Sequence, residues 1–429
     1  MQITIAAQGA LRGEVRLPGD KSISHRAALI GALAEGKTEI KGFLPGKDCL
    51  ATLACLRQLG VTIKQEGTTV VVQGVGLRGL REPETVLDCG NSGTTARLLC
   101  GILAGQSFFS ILTGDDSLRQ RPMGRVIKPL MEMGAKVHGR RGGDLLPLAI
   151  TGGRLQSLSY QTPVASAQLK SAVLLAGLFA KGKTVVTEPE LSRDHTERML
   201  AAFGAKIITA GNSVTLEGQP SLVGRRIQIP GDISSAAYFM VGATITPGSE
   251  LFIPNVGINP TRTGILDVLQ MMGAKIKIEN MRVVNSEPLA DLYVQSSELR
   301  GVEFGGELIP RLIDEIPIIA VAALFAHGRT VIKDAAELRL KETDRLAAIT
   351  EEFAQLGAKI IPTADGLIID GRQQLKGGTA YSRGDHRVAM SLAIAALRAQ
   401  NPVIIEDANC VEISYPQFWA TINNLQKVN

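Results

Sequence analysis

The chain of 429 residues is 45% hydrophobic and 20% charged, a globular composition long enough for two or three domains. Its formal charge of +5 is modest, no lysine or arginine run exceeds the pairs Arg140-Arg141 and Arg225-Arg226, and aromatic residues are only 4%, which argues against a nucleic-acid surface with its basic stripe and stacking rings. No apolar stretch approaches the roughly 20 residues that span a bilayer, and the five cysteines show no metal-type spacing, so no membrane, no metal and no cofactor is expected.

In chain order, residues 1–20 alternate as a strand without the apolar core of a signal peptide, and a cytoplasmic location is expected. Gly19-Asp20-Lys21-Ser22-Ile23-Ser24-His25-Arg26 then opens the first helix. Lys21, Ser22 and Arg26 set an ammonium, a hydroxyl and a guanidinium near a helix N-terminus, where the dipole favours anions. An ordinary capped start with solvated charges reads the same way. Gly90-Asn91-Ser92-Gly93-Thr94-Thr95 is a small-residue stretch before a helix, able to present backbone N–H groups to a carboxylate or phosphate. Arg119-Gln120-Arg121-Pro122-Met123 reads as a charged loop. Ser166-Ala167-Gln168-Leu169-Lys170 starts a strongly apolar helix, with capping as the plain role of Ser166. Ser192-Arg193-Asp194-His195-Thr196-Glu197-Arg198 is another charge-rich helix start, in which His195 reads as structural. Asp314 and Glu315 precede an almost wholly apolar helix, either as caps or as a poised base. Lys341-Glu342-Thr343-Asp344-Arg345 and Gly384-Asp385-His386-Arg387 each crowd opposite charges into a few residues.

Two elements recur beneath these motifs. An apolar helix, a glycine-centred break and a strand repeat with breaks at Gly36, Gly105, Gly182, Gly248, Gly328 and near Asn401, at spacings of 69, 77, 66, 80 and 73. After the first five breaks a helix ends at Gly60, Gly134, Gly204, Gly273 or Gly357 before a strand, a glycine position that fits helix C′. Each repeat therefore reads as β-α-β-α-β-β in an α/β chain. Pro18-Gly-Asp-Lys-Ser and Pro230-Gly-Asp-Ile-Ser, 212 residues apart, add a larger echo and imply two lobes of three repeats. The expected lobes are 20–229, and 230–429 with the strand 1–19, with a cleft that closes on ligand. Gly31-Ala-Leu-Ala-Glu-Gly36-Lys37-Thr38 and Gly177-Leu-Phe-Ala-Lys-Gly182-Lys183-Thr184 match the P-loop pattern. Both run helix-to-strand, the reverse of a phosphate-cradling loop, and both are rejected.

Taken in order, GDKSISHR, GNSGTTAR, RPM, SAQLKSA, RDHTER, PGDISSAAYF, DEIP, ELRLKETDR and GDHRVAM resemble the 5-enolpyruvylshikimate-3-phosphate synthase family from end to end. The resemblance implies the enolpyruvyl transferase fold, an inside-out α/β barrel of two lobes with three βαβαββ repeats each. It implies transfer of the enolpyruvyl group of phosphoenolpyruvate to the 5-hydroxyl of shikimate 3-phosphate, with these two anions as the partners of a monomer. By the same resemblance Lys21, Ser22, Arg26, Ser166, Gln168, Arg193, Asp314 and Lys341 bind shikimate 3-phosphate, mainly from the first lobe. Lys21, Gly93, Arg121, Gln168, Arg345 and Arg387 bind phosphoenolpyruvate, and Asp314, Lys341 and Glu342 move protons, mainly from the second lobe. The sequence departs from the family pattern at Ala167, at Glu337, and at Val411–Pro416, where a lysine is missing. SAQLK with Arg193-x-His195-x-Glu197 resembles the class II branch, and since Gly93 is unsubstituted, partial glyphosate tolerance is expected. Two alternatives are a UDP-N-acetylglucosamine enolpyruvyl transferase and a non-catalytic phosphate-binding protein. The first would carry a reactive cysteine within 111–121, and this chain has none there.

Overall fold

The structure, a computed structural model, describes residues 1–427. Its contacts divide the chain into two bodies: Gly19–Ile229 with Val284–Glu287, and Met1–Pro18, Pro230–Val283 and the chain from Pro288 onward. The sequence reading assigned 284–287 to the second lobe. Here they group with the first body because Asn285 caps its backbone: Asn285 Oδ1 accepts from the Gln228 N–H at 2.8 Å, and its amide donates to the Arg226 carbonyl at 3.0 Å. Gly19 likewise falls one residue inside the first body rather than outside it.

One repeat of the first body sets the pattern. Leu87–Asp88 pairs in parallel with Phe109–Thr113, which pairs antiparallel with Leu145–Thr151, which in turn pairs antiparallel with Lys136–Gly139. The helix Gly93–Ala104 joins the first two strands and Gly124–Glu132 leads to Lys136–Gly139. The same order recurs in Ser159–Gln161, Lys183–Thr187, Ser213–Glu217 and Ile207–Ala210. In the remaining repeat of this body the leading strand is Arg226–Gln228, parallel to Glu35–Lys41, although it comes last in sequence. The second body mirrors this. Arg12–Glu14 leads Glu250–Gly257 in parallel, and Glu303–Phe304 leads Arg329–Ile332. The sixth sheet holds Gly378–Tyr381 and Val403–Glu406 in parallel, with Ile3–Ile5 antiparallel at its edge. Its outer strand comes from the opposite end of the sequence, which is why this repeat is the faintest by local pattern.

The helix after each leading strand is buried on nearly all sides. All thirteen residues of Ile233–Ile245 are buried, as are those of His386–Ala396 and all but the last of Ile316–Phe325. These three pack on one another, as Gly93–Ala104 does on Ala167–Gly177 in the other body. A helix without a polar face must be enclosed, and the sheets enclose these: strands such as Phe109–Thr113 alternate buried and outward residues, keeping one face on the helices. Each body has its own apolar core, one running from Ile23 to Ile229 and the other joining Ile5, Leu11 and Val15 to residues from Ile233 on.

The glycines at the second break all take positive φ, from 86° at Gly60 to 106° at Gly134, as C′ positions require. At the first break Gly36, Gly182, Gly248 and Gly328 do the same, but Gly105 has φ −88°. Its reason is packing, since a Cβ there would lie 2.2 Å from the Phe179 ring. The P-loop look-alikes are packing motifs too. Thr38 and Thr184 are fully buried. A Cβ at Gly31 would lie 3.1 Å from Thr38, and one at Gly177 would lie 2.8 Å from Thr184 Oγ1. Neither hydroxyl is available to a phosphate.

Gly105→Ala should destabilise the protein by roughly 1–3 kcal/mol through overpacking, read as a fall in the urea unfolding midpoint. Pairing it with Phe179→Leu should recover part of that loss in a double-mutant cycle. Strict additivity of the two changes would rule the steric account out.

Candidate active site

In the first body the anion-binding candidates cluster at the starts of the buried helices. Asp20 Oδ1 accepts from the Ile23 N–H at 2.8 Å and so starts the helix Lys21–Leu33 in place. Lys21 is thereby presented in the first turn, its Nζ 3.2 Å from Asp48 Oδ2. One turn on, Arg26 is 3% exposed. Its Nε donates to Thr196 Oγ1 at 2.6 Å, and its terminal nitrogens donate to Ser171 Oγ at 2.8 Å and to the Ser22 carbonyl at 3.0 Å. Burial, opposed by Glu197 and reinforced by Arg193, brings Arg26 down to about 10, so it stays cationic at neutral pH. His25 is also buried and lies well below its usual value, first from burial and then from Lys21 and Arg26. It meets Thr52 Oγ1 at 2.7 Å, which continues through Thr95 to Ser92, and so serves as a neutral structural link.

Ser92 caps the next helix through the Thr95 N–H at 3.1 Å, and Gly93 follows. A Cβ at Gly93 would lie 2.6 Å from one Arg97 terminal nitrogen and 3.6 Å from one of Arg121. The glycine therefore leaves room beside two guanidiniums. Arg121 is 8% exposed and donates to Asn91 Oδ1 at 2.7 Å and Ser117 Oγ at 3.2 Å. Arg97 donates to Gln168 Oε1 at 2.8 Å and to the Pro122 carbonyl at 3.0 Å, and Gln168 donates to Thr94 Oγ1 at 3.0 Å. Ser166 is the N-cap of Ala167–Gly177, as its sequence position implied. Arg193 is half-buried just before the helix His195–Ala202. His195 is structural, its Nδ1 2.7 Å from Glu287 Oε1.

In the second body Asp314 lies in a short 3₁₀ turn, Ile313–Glu315, ahead of the apolar helix. Three cations surround it: Lys341 Nζ at 3.4 Å, Arg345 at 3.2 Å and Arg387 at 3.8 Å. Arg345 is 1% exposed and also reaches Glu342 Oε2 at 2.5 Å and Asp385 Oδ2 at 2.7 Å. Arg387 donates to the Asp314 carbonyl at 3.2 Å. Burial by itself would lower both guanidiniums. Asp385, Glu342 and Asp314 around Arg345, and Asp314, Tyr238 and Glu315 around Arg387, hold both above the usual arginine value. Asp314, Lys341, Glu342, Arg345 and Arg387 thus form one charged cluster, whose forks suit planar anions and whose carboxylates and ammonium suit proton transfer.

Sequence reasoning passed over Arg97, Asp48, Ser234 and Arg262 as site residues. Arg97 carried a signal, being four residues after Gly93 on the same helix face. Asp48 carried none, because only packing of two helices brings it to Lys21. Arg262 donates to Ser234 Oγ at 2.7 Å, and Ser234 in turn donates to Glu315, a buried chain beneath the cluster. At the departing segment, Val411 and Tyr415 are buried apolar residues and the 3₁₀ turn Ala408–Ile413 supplies no cation.

Residues 5–422 match the family model for EPSP synthase (3-phosphoshikimate 1-carboxyvinyltransferase). The 3-phosphoshikimate 1-carboxyvinyltransferase of Desulforudis audaxviator is 57% identical over 427 residues, covering 99% of this chain and 100% of that one. That of Geobacillus kaustophilus is 57% identical over 418 residues, covering 97% and 98%. Among solved structures, the EPSP synthase of Acinetobacter baumannii superposes with a TM-score of 0.88 at 46% identity, covering 99% of this chain and 98% of that one. With its recurring strand-and-helix repeats, its cationic helix starts and these matches along nearly its whole length, the chain belongs to the EPSP synthase family.

Proposed function

We propose that the residues described above divide between them the family's reaction. That reaction transfers the enolpyruvyl group of phosphoenolpyruvate to the 5-hydroxyl of shikimate 3-phosphate, with release of phosphate, in the shikimate pathway of aromatic amino-acid biosynthesis. In this reading Lys21, Ser22, Arg26, Ser166, Gln168 and Arg193 receive shikimate 3-phosphate, with Asp314 and Lys341 at its reacting hydroxyl. Lys21, Gly93, Arg121, Gln168, Arg345 and Arg387 receive phosphoenolpyruvate. The observation that carries it is the Asp314 cluster. A carboxylate within 3.2–3.8 Å of an ammonium and two guanidiniums joins proton-handling groups to groups suited to a carboxylate- and phosphate-bearing anion.

The chemistry follows as addition and then elimination. The 5-hydroxyl attacks C2 of phosphoenolpyruvate as its proton passes to Asp314 or to Lys341 beside it. C3 takes a proton from Glu342 or Lys341, giving a tetrahedral intermediate. Loss of the same kind of proton from C3 then expels phosphate. Glu342 is oriented by its 2.5 Å contact to Arg345, so the group that serves C3 is tied to the guanidinium that binds the anion. Charge developing on the leaving phosphate meets cations already held by carboxylates, with little reorganisation needed.

The chain also reads as a cytoplasmic monomer. All five cysteines are buried, which suits a reducing compartment, and among the described residues no helix is long and apolar enough to cross a membrane. Light scattering should give the mass of one chain at micromolar concentration, and a dimer mass would discard the monomer. Purified protein should release phosphate from phosphoenolpyruvate with shikimate 3-phosphate and not with UDP-N-acetylglucosamine. Release only with the latter would reverse the substrate assignment. Lys341→Met should lower kcat by roughly 10²–10⁴, and near-normal phosphate release by that variant would remove Lys341 from the chemistry.

A further inference from the structure

Beneath the shikimate 3-phosphate residues of the first body lies a buried charge network that touches none of the reacting groups. Lys170, in the first turns of the helix Ala167–Gly177, is 1% exposed among Leu169, Ala172 and Val173. Its ammonium lies 2.7 Å from Glu188 Oε2 and 2.8 Å from Glu197 Oε1, and donates to the Ser192 carbonyl at 3.3 Å. Two carboxylates and a backbone carbonyl thus surround the buried ammonium. Glu188, just after the strand Lys183–Thr187, uses both oxygens. Oε1 accepts the Ser166 N–H at 3.1 Å, while Oε2 accepts the Ser192 N–H at 3.2 Å and its hydroxyl at 2.9 Å. One carboxylate thus grips the residue that caps the Gln168 helix and the residue that precedes Arg193. Glu197 extends the grip to the helix His195–Ala202, where neighbouring Thr196 accepts from Arg26.

Stability is a poor reason for such a network. An apolar cluster of equal volume is often as stable as a buried ion pair, whereas directional charge contacts hold a fixed geometry. We propose that Lys170, Glu188 and Glu197 are positioning residues that lock the Ser166–Gln168 and Ser192–Arg193 segments into one geometry, and so determine affinity for the phosphorylated, hydroxylated substrate. The proposal rests on the assignment of Ser166, Gln168, Arg26 and Arg193 to shikimate 3-phosphate given above. It also predicts selectivity between the two substrates. Arg121, assigned to phosphoenolpyruvate alone, is held outside the network by Asn91 and Ser117, so phosphoenolpyruvate binding should be affected less.

The test compares steady-state kinetics of the full-length wild type with Glu188→Gln and Lys170→Met, with shikimate 3-phosphate binding measured by calorimetry. In both variants the KM for shikimate 3-phosphate should rise about tenfold or more, and its Kd in parallel, while the KM for phosphoenolpyruvate stays within about threefold. Lys170→Met leaves two carboxylates buried around a missing cation and can fail to fold. In that event Glu188→Gln, which keeps the side-chain volume, and the milder Ser192→Ala, with an expected rise of about threefold, decide the question. Unchanged KM values, or equal rises for both substrates, would overturn the positioning role even if thermal stability falls. A wild type that releases no phosphate with this substrate pair overturns the functional reading underneath, and the proposal with it. An active wild type with unaffected variants overturns the proposal alone.

Discussion

The arrangement of this protein depends on one constraint: a helix buried on every side keeps most of its charged groups toward one end. Ile233–Ile245, Ile316–Phe325 and His386–Ala396, with Lys21–Leu33, Gly93–Ala104 and Ala167–Gly177, are enclosed along nearly their full length. Their N-terminal turns are where Lys21 and Arg26, Gly93 and Arg97, Ser166 and Gln168, Asp314, and Arg387 stand. The caps Asp20, Ser92, Ser166, Asp232 and Asp385 each accept a backbone N–H from their own first turn. Such ends combine N–H groups with the positive end of the dipole, so cations added there produce a strongly anion-seeking surface. Part of the scatter of candidate residues along the chain follows, because successive repeats each contribute such a helix start.

Crowded cations would repel one another and weaken the fold were they not interleaved with carboxylates. Asp48 holds Lys21, Asp314 lies among Lys341, Arg345 and Arg387, and Arg345 alone meets three acidic side chains. Removing one partner of a buried pair of this kind typically costs about 3–5 kcal/mol, because the other is left buried and uncompensated. The acidic residues therefore have two tasks in the same place. They keep the guanidiniums aimed and charged, and in the proposed reading Asp314 and Glu342 also move protons. The Lys170 network interleaves charges in the same way and contacts backbone at Ser166 and Ser192.

Much of this was legible without coordinates because it is local. A glycine that needs positive φ, a cap one residue ahead of an apolar run and a break every seventy residues or so are all set by chain geometry over a few residues. Even the false P-loops could be dismissed locally, from the order of helix and strand. Other features resisted local reading for equally physical reasons. Gly105 looks like its fellow break glycines and is kept for the room it leaves Phe179. The turn 284–287 lies in the second half of the sequence and joins the first body through the Asn285 and Glu287 side chains.

The sequence by itself determined the repeat, the helix starts and the family resemblance, since periodicity and ordered motifs survive without knowledge of contacts. Tertiary structure alone decided which charges meet. Asp48 finds Lys21, Arg97 finds Gln168, and Glu188 ties Ser166 to Ser192 because helices and loops from different parts of a repeat, or from different repeats, converge. A Coulomb interaction depends on distance in space rather than along the chain, and falls to little once exposed charges lie more than about 10 Å apart in salt. Hence the residues that bear charge could be read from the sequence, and their partners could not.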